Sequence, residues 1–363
     1  LRYLAAVHKC DAVVQPLPVH SVSSMLDVRK KKARLTWQPT IDVLEETARP
    51  TKYIIYISQG ERGYDNGLAV DAKSTAVDID LEPGIMYRFR ITAVNSGGES
   101  FPSEEVCCYL ASEDAPHMRL VDGFQRVAGP KAFNTENSSG FDMNEEPGVV
   151  DRKSPEYCGY QLYFGKDGLG KENATGHGYS GSELEGMILA GNTHDWSCVH
   201  AQEILKCGQY NLSSCVASAC PTVNIQHIDI ADIIFGAQMM DGYSMKPYKT
   251  FTPEVRSLME QLTQNGKGVM VSGAHIGTDM PLPEEQQFLK QTLKWTSNNS
   301  VHAATGMNIQ GMNTTAALYT EPNEQHYWVR RMDVLRPATP AFTTMLYGDG
   351  EQSCAVAYKG NDY

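Results

Sequence analysis

Two short polar stretches carry the side chains best suited to chemistry. Gly191-Asn-Thr-His-Asp195 sets His194 beside Asp195, and Ser272-Gly-Ala-His-Ile-Gly-Thr-Asp279 sets His275 four residues before Asp279. An imidazole paired with a carboxylate can act as a general base, and two such pairs can hold a metal ion. The same residue types cap helix starts and satisfy turn amides, a task that suits Asn192, Thr193 and Asp195. Both readings stay open here. In one, Asn192, Thr193, His194, Asp195, Ser272, His275 and Asp279 line a single crevice; in the other, each turn caps its own helix. Ser272, Gly273 and Ala274 are small enough for backbone amides near a helix start to cradle an anion.

Nine cysteines stand at positions 10, 107, 108, 158, 198, 207, 215, 220 and 354, with no CxxC pair among them. A zinc ribbon or a thioredoxin-type site is therefore not expected, and most of the nine read as small buried hydrophobes. The acidic stretch Asp142-Met-Asn-Glu-Glu146 lacks the alternating ligand spacing of a calcium loop and reads as a solvated insertion. No metal and no cofactor are expected.

The elements that must position these turns are legible. Val269, Met270 and Val271 form an apolar run expected of a strand covered on both faces. The helix before it has Thr252 as cap, Pro253 at its first position and Glu254 at the positive end of the dipole. Val255, Leu258, Met259 and Leu262 mark its buried face, and Asn265-Gly266 ends it. Met187-Ile-Leu-Ala190 is expected as the strand before the first polar turn. Ser197 then caps a helix carrying Val199, Ala201, Ile204 and Leu205, closed by Gly208. Leu212–Val216 and Ala231–Phe235 are further strands, and Val121–Gly129 is a candidate first one. Phe288, Leu289, Leu293 and Trp295 mark another helix, and Gly306–Gln310 and Cys354–Tyr358 complete the set. Strands alternating with helices predict a three-layer parallel sheet, with ligands at its carboxyl edge.

The first third of the chain has a different rhythm. Arg34-Leu-Thr-Trp37, Lys52–Ser58, Thr75–Leu81 and Tyr87–Asn95 alternate as half-buried strands do. The basic run Arg29-Lys-Lys-Lys-Ala-Arg34 leads into the first of these and reads as a solvated edge. Leu81-Glu-Pro-Gly-Ile-Met-Tyr87, followed by Arg88-Phe-Arg-Ile-Thr-Ala-Val-Asn-Ser-Gly-Gly-Glu-Ser100, resembles a fibronectin type III domain. The resemblance makes Trp37 the core tryptophan and Tyr87 the corner tyrosine whose hydroxyl bonds back to the chain. Such modules are spacers or docking surfaces without chemistry of their own.

The chain as a whole, 363 residues with a net charge of −12, is long enough for two domains and poorly suited to binding nucleic acid. No apolar run approaches the roughly 20 residues of a membrane span. The expected organisation is the end of a preceding domain or a linker over residues 1–14, an all-β sandwich over 15–114, and an α/β domain over 115–363. The last strand reads as lacking its return partner, so the α/β domain is expected to be truncated at its C-terminus.

Ala190-Gly-Asn-Thr-His-Asp-Trp196 and Val271-Ser-Gly-Ala-His-Ile-Gly-Thr-Asp279 resemble a class I glutamine amidotransferase-like, flavodoxin-type domain. More particularly they resemble a secreted bacterial family in which that domain follows a fibronectin type III module. Members carry the labels xanthan lyase or N-acetylmuramoyl-L-alanine amidase, the latter from an upstream catalytic domain. In amidotransferases a glycine-flanked turn presents a nucleophilic cysteine, with His and Glu downstream. Here Ala274-His275 occupies that turn, Cys215 ends a different strand, and Glu324-Gln-His326 runs in reversed order. Without a nucleophile held beside a base, glutaminase chemistry is not expected. Lysis of a uronate polysaccharide would want a tyrosine or lysine base, and Tyr157, Tyr160 and Tyr163 alternate as a strand face does.

The resulting expectation is a pseudoenzyme. It is a non-catalytic accessory or ligand-binding region of a secreted, periplasmic or cell-surface bacterial protein, with a glycan or peptidoglycan-related ligand. The alternative is a hydrolase or polysaccharide lyase using the carboxyl edge.

Overall fold

A computed structural model of the chain describes residues 13–123, 131–142, 195–236, 249–297, 299–302, 307–318, 331–348 and 350–360. The first region builds eight strands: β1 (His20–Asp27), β2 (Lys32–Gln38), β3 (Lys52–Gln59), β4 (Leu68–Asp71), β5 (Ala76–Asp80), β6 (Met86–Asn95), β7 (Gly98–Glu99) and β8 (Val106–Tyr109). One layer runs β1-β2-β5, and the other joins β4, β3, β6, β7 and β8. Alternation sends Ala33, Leu35 and Trp37 of β2 inward to meet Tyr53, Ile55, Phe89 and Ile91. Trp37 meets Tyr53 edge-on, ring centroids 5.3 Å apart. Tyr87 takes the corner role, its hydroxyl accepting the Glu82 amide at 3.1 Å. The basic run forms the β1–β2 turn, and Lys32 and Arg34 reach Asp80 and Asp78 on β5.

A second set of strands is parallel. β9 (His117–Asp122) is followed by the hairpin of β10 (Lys131–Asn134) and β11 (Ser139–Asp142), then by helix α1 (Trp196–Cys207). Next come β12 (Asn211–Val216), β13 (Ile230–Gly236), helix α2 (Pro253–Gln264) and β14 (Gly268–Gly273). The parallel strands lie in the order β12-β9-β13-β14. Met118, Leu120 and Leu212 cluster with Cys198 and Ala201 of α1. Val121, Cys215, Ala231, Ile233 and Phe235 cluster with Val255, Leu258, Met259 and Leu262 of α2. The two helices therefore cover opposite faces, because neighbouring strand residues point opposite ways.

α2 forms as its sequence directs. Thr252 Oγ1 accepts the Val255 amide, Pro253 opens the helix, and Gly266 ends it with φ +67°. α1 differs at its start: Asp195 is the cap residue, and Ser197 is the buried second residue of the helix, its hydroxyl on the Glu105 carbonyl. The first parallel strand begins at His117, earlier than the Val121–Gly129 segment suggested. β14 ends the described parallel order and leaves Met270 47% exposed, so the run at 269–271 is not covered on both faces. An apolar run cannot by itself tell a central strand from the last one.

The remaining chain also departs from expectation. After α3 (Pro283–Phe288) one π-helical turn over Leu289–Leu293 closes on Lys294 at φ +62°, and Trp295 leaves the helix. Trp295 belongs to β15 (Trp295–Thr296), which pairs with β20 (Arg336–Pro337). Between them, β16 (Ser300–His302) pairs with β19 (Arg331–Asp333). β17 (Asn308–Gly311), β18 (Thr314–Ala317), β21 (Phe342–Tyr347) and β22 (Ser353–Ala357) form a separate antiparallel sheet in the order β18-β17-β21-β22. The expected strands at 306–310 and 354–358 correspond to strands at 308–311 and 353–357, which do not extend the parallel sheet. Met187–Ala190 lies outside the described residues. Among the described residues no helix is long and apolar enough to cross a membrane.

The two regions share hydrogen bonds. One edge of β12 pairs with β9 along its length. The other edge divides: Leu212 and Ser213 pair with β8, and Cys215 pairs with Ser23 of β1. Both layers of the sandwich are thereby stitched to one strand of the parallel sheet.

The corner tyrosine supplies a direct check on the sandwich. Replacing Tyr87 by Phe removes only the hydroxyl on the Glu82 amide, so urea denaturation should show a loss of about 0.5–1.5 kcal/mol without a change in slope.

Candidate functional site

The turn after β14 is buried and already holds an anion from within the chain. Asp333 Oδ2 accepts the amides of Gly277 at 2.7 Å and Thr278 at 2.6 Å, and Oδ1 accepts the Thr278 hydroxyl at 2.6 Å. The amides engaged are those of Gly277 and Thr278, not those of Ser272–Ala274 where a cradle was expected; the Ala274 amide bonds the Gly236 carbonyl, and the carboxylate of β19 occupies the later amides. Gly277 is required by packing, since a Cβ there would lie 2.2 Å from Ser297 Cβ and 3.2 Å from the Asp333 carboxylate. Gly273 is pressed likewise by Ile276 and Phe235. His275 and Asp279 are 1% and 3% exposed, and Asp279 Oδ2 accepts the Thr250 amide at 2.7 Å. Ser272 is half-buried, and Ala274 is buried.

Of the other turn, Asn192, Thr193 and His194 lie outside the described residues. Asp195 starts α1, which crosses β8 and β9, whereas β14 lies two strands beyond β9. The carboxylate next to Asp195 is Glu105 of the sandwich, whose proton affinity is raised chiefly by burial. Glu105 faces Tyr64, and the Arg90 guanidinium lies 4.0 Å over the Tyr64 ring. Burial first, and then Glu105, push the Tyr64 phenol up, so it stays protonated and is no base. Tyr157, Tyr160 and Tyr163 lie outside the described residues.

Sequence reasoning missed the polar network at the divided edge of β12. Arg119, 2% exposed, points its guanidinium at the Ser24 carbonyl, at Ser213 Oγ (2.9 Å) and at Ser23 Oγ (2.7 Å). Ser24 Oγ donates to the Cys107 carbonyl at 2.6 Å and accepts the Ser214 amide at 3.0 Å, while Ser214 Oγ accepts the Cys107 amide at 2.7 Å. These hydroxyls replace ladder bonds where the strands diverge, as buried backbone groups demand. The Cys220 hydrogen bond, aided by Arg119, draws the Cys215 thiol down to about 6 against the effect of burial. Cys215 is 0% exposed, so its sulfur is closed to an external substrate.

Two more features have chemical character. His200 Nδ1 lies 2.8 Å from Oδ2 of the fully buried Asp232, leaving its ring 30% exposed. Asp232 is the third residue of β13, away from the carboxyl edge. Beside the β17–β18 hairpin an open hollow of about 470 Å³ is lined by Gln310, Gly311, Asn313, Thr314, Thr315 and Leu346. Its amides and hydroxyls are the groups that bind sugar hydroxyls. The only sequence signal for either was residue type, without periodicity or motif.

The comparisons with known proteins bear on the first region. The family described as "Fibronectin type III domain" matches residues 17–108. That segment is a fibronectin type III domain. Solved structures similar to it include the FN1–FN3 domains of chicken CNTN1, at 15% identity and TM-score 0.24, covering 27% of this chain and 33% of that one. The fourth FNIII domain of a human protein matches at 23% identity and TM-score 0.24, covering 28% and 84%. A two-domain segment of chicken tenascin matches at 23% identity and TM-score 0.21, covering 24% and 47%.

Asp333 and His117 offer two measurements. Asp333→Ala leaves the Gly277 and Thr278 amides without their acceptor and should lower stability by about 2–3 kcal/mol in denaturant titration. His117, whose Nε2 lies 2.9 Å from Ser213 Oγ, is driven down to about 4 by burial and then by Arg119. The unfolded chain takes up that proton at about 6.5, so stability should fall as pH drops from about 6.5 to about 4 and be unaffected above. His117→Gln should flatten that part of the profile.

Proposed function

We propose that the chain is a non-catalytic accessory or ligand-binding region of a secreted or cell-surface bacterial protein that acts on cell-wall or extracellular glycans. The observation that carries the non-catalytic reading is the turn at 273–278, where Ala274 stands in the nucleophile position and Asp333 fills the amide cradle. An oxyanion or phosphate would have to displace a buried carboxylate with three hydrogen bonds. The parallel order, with the second strand outside the first and then the third and fourth, is that of flavodoxin-type sheets and supports an amidotransferase-like ancestry for residues 115–363. The hollow beside β17 and β18 supports a glycan ligand through its uncharged amides and hydroxyls. The fibronectin type III domain then orients this region relative to an upstream catalytic domain.

The alternative is a hydrolase or polysaccharide lyase. The His200–Asp232 pair favours it to the extent that a carboxylate orients a partly exposed imidazole.

Both readings meet in one experiment. The purified chain is incubated with glutamine, with peptidoglycan fragments and with a uronate polysaccharide, and binding and turnover are measured together. The expected result is binding to a glycan, weakened several-fold by Asn313→Ala, with ammonia and unsaturated sugar products at background. Turnover that disappears in His200→Ala would establish the enzyme reading instead.

A further inference from the structure

An asparagine stands directly before a glycine at two places among the described residues: Asn66-Gly67, in the turn between β3 and β4, and Asn265-Gly266, at the end of α2. The chemistry latent in both is the same. A glycine nitrogen, unshielded by a side chain, can attack the side-chain amide carbon of the asparagine before it. The surroundings differ. At the end of α2 the Asn265 Nδ2 donates to the Gln261 carbonyl at 2.8 Å, and the Gly266 amide donates to the Thr263 carbonyl at 3.1 Å. Both reacting groups are tied into the helix end. In the β3–β4 turn the Asn66 side chain is exposed, and among the described residues it has no hydrogen-bond partner.

The residues on either side of Asn66 are fixed. Asp65 is held to β3 twice: its amide donates to the Ile57 carbonyl at 2.9 Å, and its Oδ1 accepts the Ile57 amide at 2.9 Å. The same Oδ1 accepts the Gly67 amide at 3.0 Å, so it already holds the proton that must leave the attacking nitrogen. Gly67 stands at φ +82°, and a Cβ there would lie 2.2 Å from Ile54 Cγ2. Position 67 therefore requires glycine, and the unhindered nitrogen beside Asn66 is a demand of the fold.

We propose that Asn66 is a site of spontaneous deamidation in the folded protein, with water as co-reactant and aspartyl and isoaspartyl residues as products. The Gly67 nitrogen bonds to Asn66 Cγ, and the Cγ–Nδ2 bond breaks. The proton lost from Gly67 passes by way of the Asp65 carboxylate to the leaving nitrogen, which departs as ammonia and leaves a five-membered imide. Water then adds to either imide carbonyl and opens the ring. One route gives aspartate, and the other gives isoaspartate, with an extra methylene in the backbone. No oxidant or reductant takes part. Either product places a new negative charge beside Asp65. The isoaspartyl product also lengthens the chain that holds Tyr64, whose ring lies 4.0 Å from the Arg90 guanidinium. The inference goes beyond the proposed function and is independent of it.

The test uses the full chain, incubated folded in a mildly alkaline buffer made with heavy-oxygen water, so that conversion during incubation carries the label and conversion during digestion does not. Samples are digested with trypsin and read by chromatography and mass spectrometry. The tryptic peptides Gly63–Lys73 and Ser257–Lys267 each contain a single asparagine, so Asn66 and Asn265 report separately in one sample. The expected result is labelled aspartyl and isoaspartyl forms of Gly63–Lys73 that accumulate several-fold faster than those of Ser257–Lys267. In urea, where neither site keeps its surroundings, the two rates should draw together. A rate at Asn66 in the folded chain equal to or below that at Asn265 overturns the proposal. So does an Asn66 that stays unconverted in the folded chain while it converts in urea, because the fold would then protect the site.

Discussion

The structure depends on how β12 spends its outer edge. A strand has one row of donors and acceptors on each side, and the inner row of β12 is committed to β9. The outer row serves two strands from different layers of a sandwich, β8 at its start and β1 at its end. Two layers cannot both stay in register with one straight strand, so the ladder opens at Ser213–Ser214. The opening is filled by short hydroxyls and one guanidinium: Ser23, Ser24, Ser213, Ser214 and Arg119. Burying a guanidinium costs several kcal/mol unless its hydrogen bonds are met. Here a carbonyl and two hydroxyls answer its two terminal nitrogens, Nε is left without a partner, and the penalty of losing any of the three ties the two regions to one geometry.

That geometry dictates what the rest of the chain can be. α1 is held against β9 and the face of β8 turned away from the sandwich core, so the sandwich strands supply part of the helix's apolar bed through Met86 and Cys107. On the other face α2 packs against Val121, Ile233 and Phe235 and leaves the carboxyl ends of the strands to the turns. The turn after β14 is drawn into the interior by Asp333, which arrives from β19, more than fifty residues downstream. A turn so anchored is largely buried.

The elements with strong local codes were legible in the sequence. Trp37, Tyr87 and the alternation of β2, β3 and β6 announced the sandwich, and the cap, proline, apolar stripe and glycine of α2 announced that helix. Period-two and period-3.6 patterns are properties of neighbouring residues, so they survive without tertiary context. The end of α3 was misread because Trp295 continues the helical spacing after Lys294 has already turned the chain left-handed. Asp195 displaced Ser197 as the cap of α1 because burial of Ser197 against Glu105 won over its local preference.

By itself, then, the sequence determined the element types, the corner and core residues of the sandwich, and the absence of a cysteine at the glycine turn. Only the tertiary structure decided which strands pair, since β12 is a polar run whose partners lie about one hundred and nearly two hundred residues away. It alone turned the strands at 308–311 and 353–357 into a separate antiparallel sheet. The partners of the polar groups near these turns were decided in the same way. Nothing local to Gly277 and Thr278 reveals that their amides are answered by Asp333, or that His200 reaches Asp232. Hydrogen-bond partners separated by tens of residues are chosen by the packing of layers, and that choice leaves no periodic trace in the chain.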